Sequence, residues 1–377
     1  MKILLTGGGS GGHFYPMITV AREVRSVMKE RRLLNAKLYY MSDAPYNAAL
    51  LYDNEIEYMQ VSSGKYRRYF SIQNFFDFFR VVGGGISGLW QLFKLYPDAV
   101  FCTGGYASFP AVFAARILSI PVVVHESDTV PGRLNQWVGK FAVKVAVSYP
   151  EAEKFFPKEK VAWTGQPIRS DIMIPANDGV GYFDFEPGLP VLAILGGSQG
   201  AQRINDTILQ ALPKILPYCQ IIQQTGTRNL ADVKNTAEVI LHTDPLKKRF
   251  HIRDYMQPLD LRMIGGCADL IITRAGSTLF EIANWGVPAI VVPITQSNGD
   301  HQRRNSYAYA RTGAAIVIEE ENFTPDNVTE QIKILLNNKE KLAKMREAAK
   351  STAKTDAART IADELVRIAL THEKGLS

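Results

Sequence analysis

Three groups of residues in this 377-residue chain have the types and spacing to do chemistry. The first is Gly7-Gly8-Gly9-Ser10-Gly11-Gly12-His13, directly after the apolar run Ile3-Leu4-Leu5. A strand that ends in a glycine-rich turn and opens a helix surrounds its ligand with bare backbone N–H groups and the positive end of a helix dipole, which favours an anion or a developing negative charge. Here the turn also delivers a histidine, the side chain that most readily exchanges a proton near neutral pH, so the segment predicts acid–base work at a helix mouth. Gly7, Gly9 and Gly12 also satisfy G-x-G-x-x-G, but a dinucleotide site wants a ribose-holding acid about 20 residues further on. The first acid past a plausible second strand, Lys37 to Met41, is Asp43, 31 residues beyond Gly12.

The second group lies between Asp269 and Asn305. Leu270-Ile271-Ile272-Thr273 reads as a strand, Arg274-Ala275-Gly276-Ser277-Thr278 as a tight turn, and Leu279 onward as a helix carrying Glu281. A phosphate at that helix start meets the N–H groups of Gly276, Ser277 and Thr278. Glu281, one turn further in, can accept both hydroxyls of a ribose; the plain alternative is compensation of the helix dipole. After Val291-Val292-Pro293 and the polar loop Thr295-Gln296-Ser297-Asn298-Gly299 come His301 and Gln302, with donors and acceptors suited to sugar hydroxyls or simply to solvent. The third group, Gly196-Gly197-Ser198-Gln199-Gly200-Ala201, follows Val191-Leu192-Ala193-Ile194-Leu195 and repeats the opening pattern of the chain.

These loops need strands to hold them. Strands alternate with helical stretches throughout, the signature of parallel α/β sheets. Ala99-Val100-Phe101-Cys102 runs into Gly104-Gly105-Tyr106, and Pro121-Val122-Val123-Val124 into His125-Glu126-Ser127-Asp128. Two Rossmann-like units result, with Thr164-Gly165-Gln166-Pro167 as the expected linker. The expected domains are residues 1–165, residues 166–350, and a terminal helix in 351–377 that folds back on the first. The last helical stretch, rich in Ala, Lys and Glu, reads as running from about Lys339 to Leu370. Ligands of open α/β sheets bind at the carboxyl ends of strands, so the chemistry is expected in a cleft between the facing domains.

Composition bounds the rest. The chain is 46% hydrophobic and 21% charged, as globular proteins are. Cys102, Cys219 and Cys267 are far apart, against a disulfide framework or cysteine zinc site and in keeping with a reducing cytoplasm. Only three apolar residues precede the first glycines, so no signal-peptide core is expected. The uncharged run Ala99 to Ala115 is broken by Thr103-Gly104-Gly105 and Pro110 and reads as strand, loop and helix, not a membrane span. The net charge of +6 permits attraction to anionic lipid or another polyanion without choosing between them.

The motifs GGGSGGHFYP, TGGYASFPAVFAA, HESDTVPG followed by Asn135, TGQPIR, GGSQGAQRIN, and RAGSTLFEIANWGVPAIVVP with DHQ span nearly the whole chain in order. Together they resemble the MurG family, the peptidoglycan glycosyltransferases that add N-acetylglucosamine to lipid I, the lipid-linked muramyl-pentapeptide, making lipid II. The resemblance implies a GT-B fold, with UDP-N-acetylglucosamine held mainly by the C-terminal domain and lipid I by the N-terminal one. It implies His13, with Ser10, Gly11 and Gly12, at the acceptor diphosphate and reaction centre, Tyr106 and Ser108 in a second acceptor loop, and His125, Glu126 and Asp128 in a third. Arg169, Ser198, Gln199 and Gly200 are implied at the donor diphosphate, together with Gly276, Ser277 and Thr278. The uracil is implied near Met256 to Leu259, including Pro258, the ribose on Glu281 and the sugar hydroxyls against His301 and Gln302. His13 is the first choice of general base, with Asp128 and Glu126 in reserve. This sequence departs from the family in three places: Asp128 replaces an amide, the arginine-to-glutamate loop is one residue shorter than in many relatives, and Pro258 lacks an N–H for a uracil carbonyl.

The expected partners are therefore UDP-N-acetylglucosamine, lipid I, an anionic membrane surface and cell-wall synthesis proteins. No nucleic acid, metal ion or tightly bound cofactor is expected, and the expected location is the cytoplasmic face of the plasma membrane. Lys65, Arg67 and Arg68, followed by Phe75-Phe76-Asp77-Phe78-Phe79-Arg80 and then Trp90, Phe93 and Lys94, suggest a membrane-docking patch; the alternative is that these aromatics are core. The competing functions are a GT-B enzyme glycosylating diacylglycerol, a UDP-sugar epimerase, a non-catalytic membrane-recruiting partner, and a dehydrogenase.

Overall fold

The computed structural model describes residues 1–8, 10–33, 36–63, 72–197, 201–295 and 300–375, with backbone alone for 72–80 and 374. The chain forms two compact units, one of Met1–Arg169 with Lys354–Ser377, the other of Ser170–Ala353.

In the first unit, strands β1 (Lys2–Thr6), β2 (Lys37–Ser42), β3 (Ile56–Gln60), β4 (Ala99–Cys102), β5 (Val122–Glu126), β6 (Lys144–Val147) and β7 (Val161–Trp163) form one parallel sheet in the order β3-β2-β1-β4-β5-β6-β7. Its helices are α1 (Gly11–Glu30), α2 (Ala48–Asp53), α3 (Ile72–Leu95), α4 (Phe109–Ile117) and α5 (Arg133–Gly139). The strands are short apolar runs because both faces of the sheet are covered. Ile3 and Leu5 face a core with Phe14, Met17 and Val20 of α1, while Leu4 between them faces Val100, Val112 and Val124.

Helix α3 carries glycines that a solvated helix would not favour. They let it lie close on its neighbours: a Cβ at Gly84 would fall 1.9 Å from the Ser62 carbonyl oxygen, and one at Gly88 3.0 Å from that of Pro110 at the start of α4. Elsewhere on α3, Val82, Ile86, Trp90 and Phe93 follow at helical spacing, and all four are exposed, Ile86 by 67% and Phe93 by 61%. These side chains are not core. Lys65, Arg67, Arg68 and the side chains of Phe75 to Arg80 lie outside the described residues. Among the described residues no helix is long and apolar enough to cross a membrane.

The second unit opens with the short helices α6 (Ser170–Met173) and α7 (Gly179–Tyr182). Strands β8 (Val191–Leu195), β9 (Gln220–Gln224), β10 (Phe250–Arg253), β11 (Leu270–Thr273), β12 (Ala289–Val291) and β13 (Ala315–Val317) are all parallel, ordered β10-β9-β8-β11-β12-β13. Around them lie α8 (Gln202–Ile215), α9 (Leu230–Ile240), α10 (Pro258–Cys267), α11 (Thr278–Trp285), α12 (His301–Ala310), α13 (Pro325–Leu336) and α14 (Lys339–Thr352). Ile204, Ile208 and Leu212 of α8 pack with Leu192 and Ile194 of β8 and with Val328 and Ile332 of α13.

Two local readings differ from expectation. The stretch from Lys339 to Leu370 is two helices: Ala353 turns extended (φ −70°, ψ 129°), and a terminal helix restarts at Ala357 and runs to Gly375. No glycine or proline marks this break. At the break Lys354 lays its stem against Gly165 and its ammonium 4.1 Å from the Trp163 ring centroid. Gly165 adopts φ +86°, and a Cβ there would sit 2.4 Å from Lys354 Cβ. The segment Thr164 to Pro167 lies inside the first unit, where Gln166 is buried and accepts a 2.6 Å hydrogen bond from the Ser148 hydroxyl.

Candidate active site

Each sheet has one place where the strand order reverses, and the loops after the two strands there diverge to leave a crevice at their carboxyl ends. In the first unit these strands are β1 and β4; in the second, β8 and β11.

After β1 the chain turns through Gly7 and Gly8, and Ser10 caps α1 with extended geometry (φ −158°). The first turn, Gly11-Gly12-His13-Phe14, carries no acid, so the positive end of the helix dipole is uncompensated from within it. His13 Nδ1 lies 2.8 Å from the carbonyl oxygen of Thr103, beyond the end of β4, while the Thr103 hydroxyl donates to the His13 carbonyl at 2.9 Å. A carbonyl only accepts, so Nδ1 holds the proton and the neutral ring has its lone pair on Nε2. Burial lowers the His13 pKa below 6.5, against the opposing pull of the Asp128 carboxylate and the Thr103 bond. The close meeting of the two loops depends on Gly105, at φ +84°, where a Cβ would fall 2.4 Å from the Gly8 carbonyl oxygen.

The loop after β4 continues through the 3-10 turn Tyr106–Ser108. Ser108 is fully buried, with its hydroxyl donated to the Gly104 carbonyl at 2.7 Å. Tyr106 sits beside Asp43, and burial pushes its phenol up to about 12. After β5, Glu126 is buried and accepts from the Asp128 N–H at 2.9 Å, the Asn135 amide at 2.8 Å and the Gly132 N–H at 3.2 Å. It therefore shapes the loop that presents Asp128, and burial raises its pKa to about 8, with Asp128 adding to the rise. His125 is also buried, 3.1 Å from the Ser148 hydroxyl, and burial lowers its pKa to about 4. Arg169, at the end of the unit's first segment, lies over the Tyr15 ring at 4.9 Å.

In the second unit the turn after β8 is described for Gly196 and Gly197; Ser198, Gln199 and Gly200 lie outside the described residues. After β11, Arg274 donates to the Val292 carbonyl at 3.0 Å and pairs with Glu320 at 2.5 Å. Glu320 also accepts from the Thr295 N–H at 3.2 Å and hydroxyl at 2.9 Å. This partly buried pair ties the β11 loop to the segment leading toward His301. Although burial opposes it, the hydrogen bonds from Arg274 and Thr295 leave the Glu320 pKa below its ordinary value. Gly276 and Ser277 lead into α11, whose first turn, Thr278 to Glu281, presents N–H groups at the strand ends. Asn305 reaches the Ala275 carbonyl at 3.3 Å, and Gln302 accepts from the Ile294 N–H at 3.3 Å, so α12 is fastened to both loops. Pro258 is the first residue of α10, where a missing N–H leaves no intrahelical bond unmade. The Met256 N–H just before it is taken by Gln224 at 3.1 Å.

The structure thus brings together His13, Thr103 and Asp128 in one unit, with Tyr106 beside Asp43, and in the other holds α12, which begins at His301, against the loops after β11 and β12. Sequence reading missed Thr103, Arg274 as a partner of Glu320, and Glu320 itself. The only sequence signal for Thr103 was its place between a strand and a double glycine.

Two parallel-sheet α/β units, each with a glycine turn at its switch point, make up the GT-B fold. Residues 3–147 match the glycosyltransferase family 28 N-terminal domain, and residues 191–361 the family 28 C-terminal domain. A Bacillus thuringiensis UDP-N-acetylglucosamine--N-acetylmuramyl-(pentapeptide) pyrophosphoryl-undecaprenol N-acetylglucosamine transferase is 33% identical over 344 residues, 90% of this chain and 92% of the relative. The crystal structure of Acinetobacter baumannii MurG superposes with a TM-score of 0.74 at 26% identity, covering 97% of this chain and 99% of that one. The chain belongs to the MurG family of glycosyltransferases. A Neisseria meningitidis UDP-GlcNAc 2-epimerase bound to UDP-GlcNAc shares the fold alone, with a TM-score of 0.66 at 16% identity over 97% of this chain and all (100%) of that one.

Proposed function

We propose that the protein moves N-acetylglucosamine from UDP-N-acetylglucosamine onto lipid I with inversion, forming lipid II for peptidoglycan. The observation that carries this reading is the Thr103 carbonyl on His13 Nδ1, which fixes the tautomer a general base requires at the acceptor loop. In the reaction the acceptor hydroxyl oxygen bonds to the anomeric carbon, the carbon–oxygen bond to the diphosphate breaks, and the hydroxyl proton passes to His13 Nε2. Asp128 stabilises the imidazolium that forms. Glu126, spent on three N–H donors, positions Asp128 and is not the base.

The first unit takes the acceptor, with Ser10, Gly11 and Gly12 toward its diphosphate and Tyr106 beside it; Ser108 acts by fixing that loop. The second takes the donor, with the N–H groups of Gly276, Ser277 and Thr278 and the Ser198-Gln199-Gly200 turn toward the diphosphate, Glu281 on the ribose, and His301 and Gln302 on the sugar. Pro258 borders the uracil. Arg169 and the helix N-termini neutralise the departing UDP, because preorganised donors need no rearrangement as charge develops. The exposed row on α3 rests on the anionic cytoplasmic face of the membrane that holds the acceptor, where other cell-wall synthesis proteins work.

Labelled UDP-N-acetylglucosamine incubated with lipid I, with diacylglycerol or without acceptor tests the reading. Product is expected with lipid I alone. A diacylglycerol glycoside, or epimerised sugar without acceptor, overturns it.

A further inference from the structure

The sheet of the second unit ends on β13, which pairs with β12 alone. The two run parallel, with Ala289 against Ala315 and Val291 against Val317. The Ala289 N–H bonds to the Ala314 carbonyl at 3.2 Å, and the Ile318 N–H to the Val291 carbonyl at 3.0 Å. In a parallel ladder alternate residues of a strand serve one neighbour, so Ala314, Ile316 and Ile318 are spent on β12. The backbone groups of Ala315, Val317 and Glu319 point to the free edge. Ala315 is buried, which leaves Val317 and Glu319 as the open part of that edge, and their N–H groups bond to no other backbone group among the described residues.

A cavity of about 530 Å³ lies against this edge, within the range of about 300–1,000 Å³ of ligand sites. Ile316, Val317 and Ile318 line it, with Tyr307 from α12 and Asn327 and Gln331 from α13. Its charged side chains are both acids, Glu319 and Glu321. Glu319 is tied to α12, accepting from Arg303 at 2.9 Å and from the Tyr307 hydroxyl at 2.8 Å. Glu321 is exposed and makes no ion pair among the described residues.

Each class of occupant leaves something different unanswered. A metal ion wants its ligands gathered on one point, and among the described residues no three His, Cys, Asp or Glu side chains are so placed. A second copy of the chain, paired edge to edge, would set Glu319 and Glu321 against their own counterparts. An extended segment carrying lysine or arginine answers the N–H and carbonyl of Val317 with its backbone and the Glu321 carboxylate with a side chain. We propose that this cleft receives an extended basic segment of a partner protein, which adds to the sheet beside β13 and places a lysine or arginine at Glu321. None of the residues lining the cleft has a part in the transfer reaction above, so the surface stands independently of that reading.

The test uses the full chain and a blocked hexapeptide of alternating lysine and valine, titrated by calorimetry. The parent is expected to bind it at one site, at least about tenfold more tightly than either of two control peptides. One control carries glutamate in place of lysine; the other is the lysine peptide N-methylated at every residue, which keeps its charges and loses its backbone donors. Glu321→Lys and Val317→Pro are each expected to weaken binding at least about threefold, since proline at an outward-facing N–H leaves the ladder to β12 whole. Should Val317→Pro melt early, the N-methylated peptide carries the test of the edge. Affinity for either control equal to that for the lysine peptide, parent-like binding by a folded variant, or no binding by the parent overturns the proposal. Spermine bound as tightly as the lysine peptide would give the cleft to a small polycation, and a parent dimer that Val317→Pro dissolves would give the edge to a second copy. Either result overturns it as well.

Discussion

A single proton position organises the chemistry at the residue scale. Because Thr103 accepts from Nδ1, a proton taken up by the neutral His13 ring enters at Nε2, the position the proposed base role uses. His13→Ala is expected to lower kcat by about two to four powers of ten while UDP affinity, read by calorimetry, stays at the parent value. Parent-like turnover across the pH range would return the role to Asp128. In the proposed role the neutral ring is the active form, and burial lowers its pKa, so the acid limb of kcat/KM is expected below pH 6.5. Asp128 raises that pKa, so Asp128→Asn should move the limb further down; an upward move would show that the carboxylate does not stabilise the imidazolium. In the other unit, Glu281→Ala should weaken UDP-sugar binding by about 1.5–3 kcal/mol, the worth of a hydrogen bond to a charged group. Unchanged donor affinity in a folded variant would remove Glu281 from the ribose.

At the scale of elements, the loop after β5 carries a pH dependence of stability. The unfolded chain protonates His125 as pH falls below about 6.5, whereas the folded chain resists until about 4. Stability is therefore lost across that window, by up to about 3 kcal/mol for this group. Glu126 works in the opposite sense: its pKa is raised to about 8, so its contribution declines as pH rises from about 4.5 through 8. His125→Gln should flatten the acid side of a plot of denaturation midpoint against pH, and an unaltered slope would place the acid sensitivity elsewhere. The strands themselves were legible in the sequence. Val191 to Leu195 and Leu270 to Thr273 were read to the residue, because a buried parallel strand is an unbroken apolar run that stops at its turn. The break near Lys354 was not, since no glycine or proline marks it and the contacts Lys354 makes there are with Gly165 and Trp163, about 190 residues earlier. Thr103 was hidden for the same reason: its bond to His13 spans 90 residues, and no local period records it.

The whole molecule repeats one plan, six strands in the same order in each sheet with a seventh added to the first, so two switch points come from one rule of winding. The units differ in how the chain builds them. The second is a single stretch, Ser170–Ala353, but the first is discontinuous, completed when Ile361, Leu365 and Val366 of the terminal helix join Phe14, Met17 and Val24. Leu365, fully buried there, should cost about 2–5 kcal/mol on change to alanine. Calorimetry is expected to show the first unit melting early while the second keeps its parent midpoint; a uniform shift of both would mean that they unfold as one. A ribosome delivers this protein from its amino end, so the half made first must wait, its α1 face uncovered, until residues 357–375 have left the exit tunnel. The half made second has all of its strands by then. Order of synthesis and order of completion run in opposite directions, and the histidine turn on α1 is among the last parts of the protein to gain its full support.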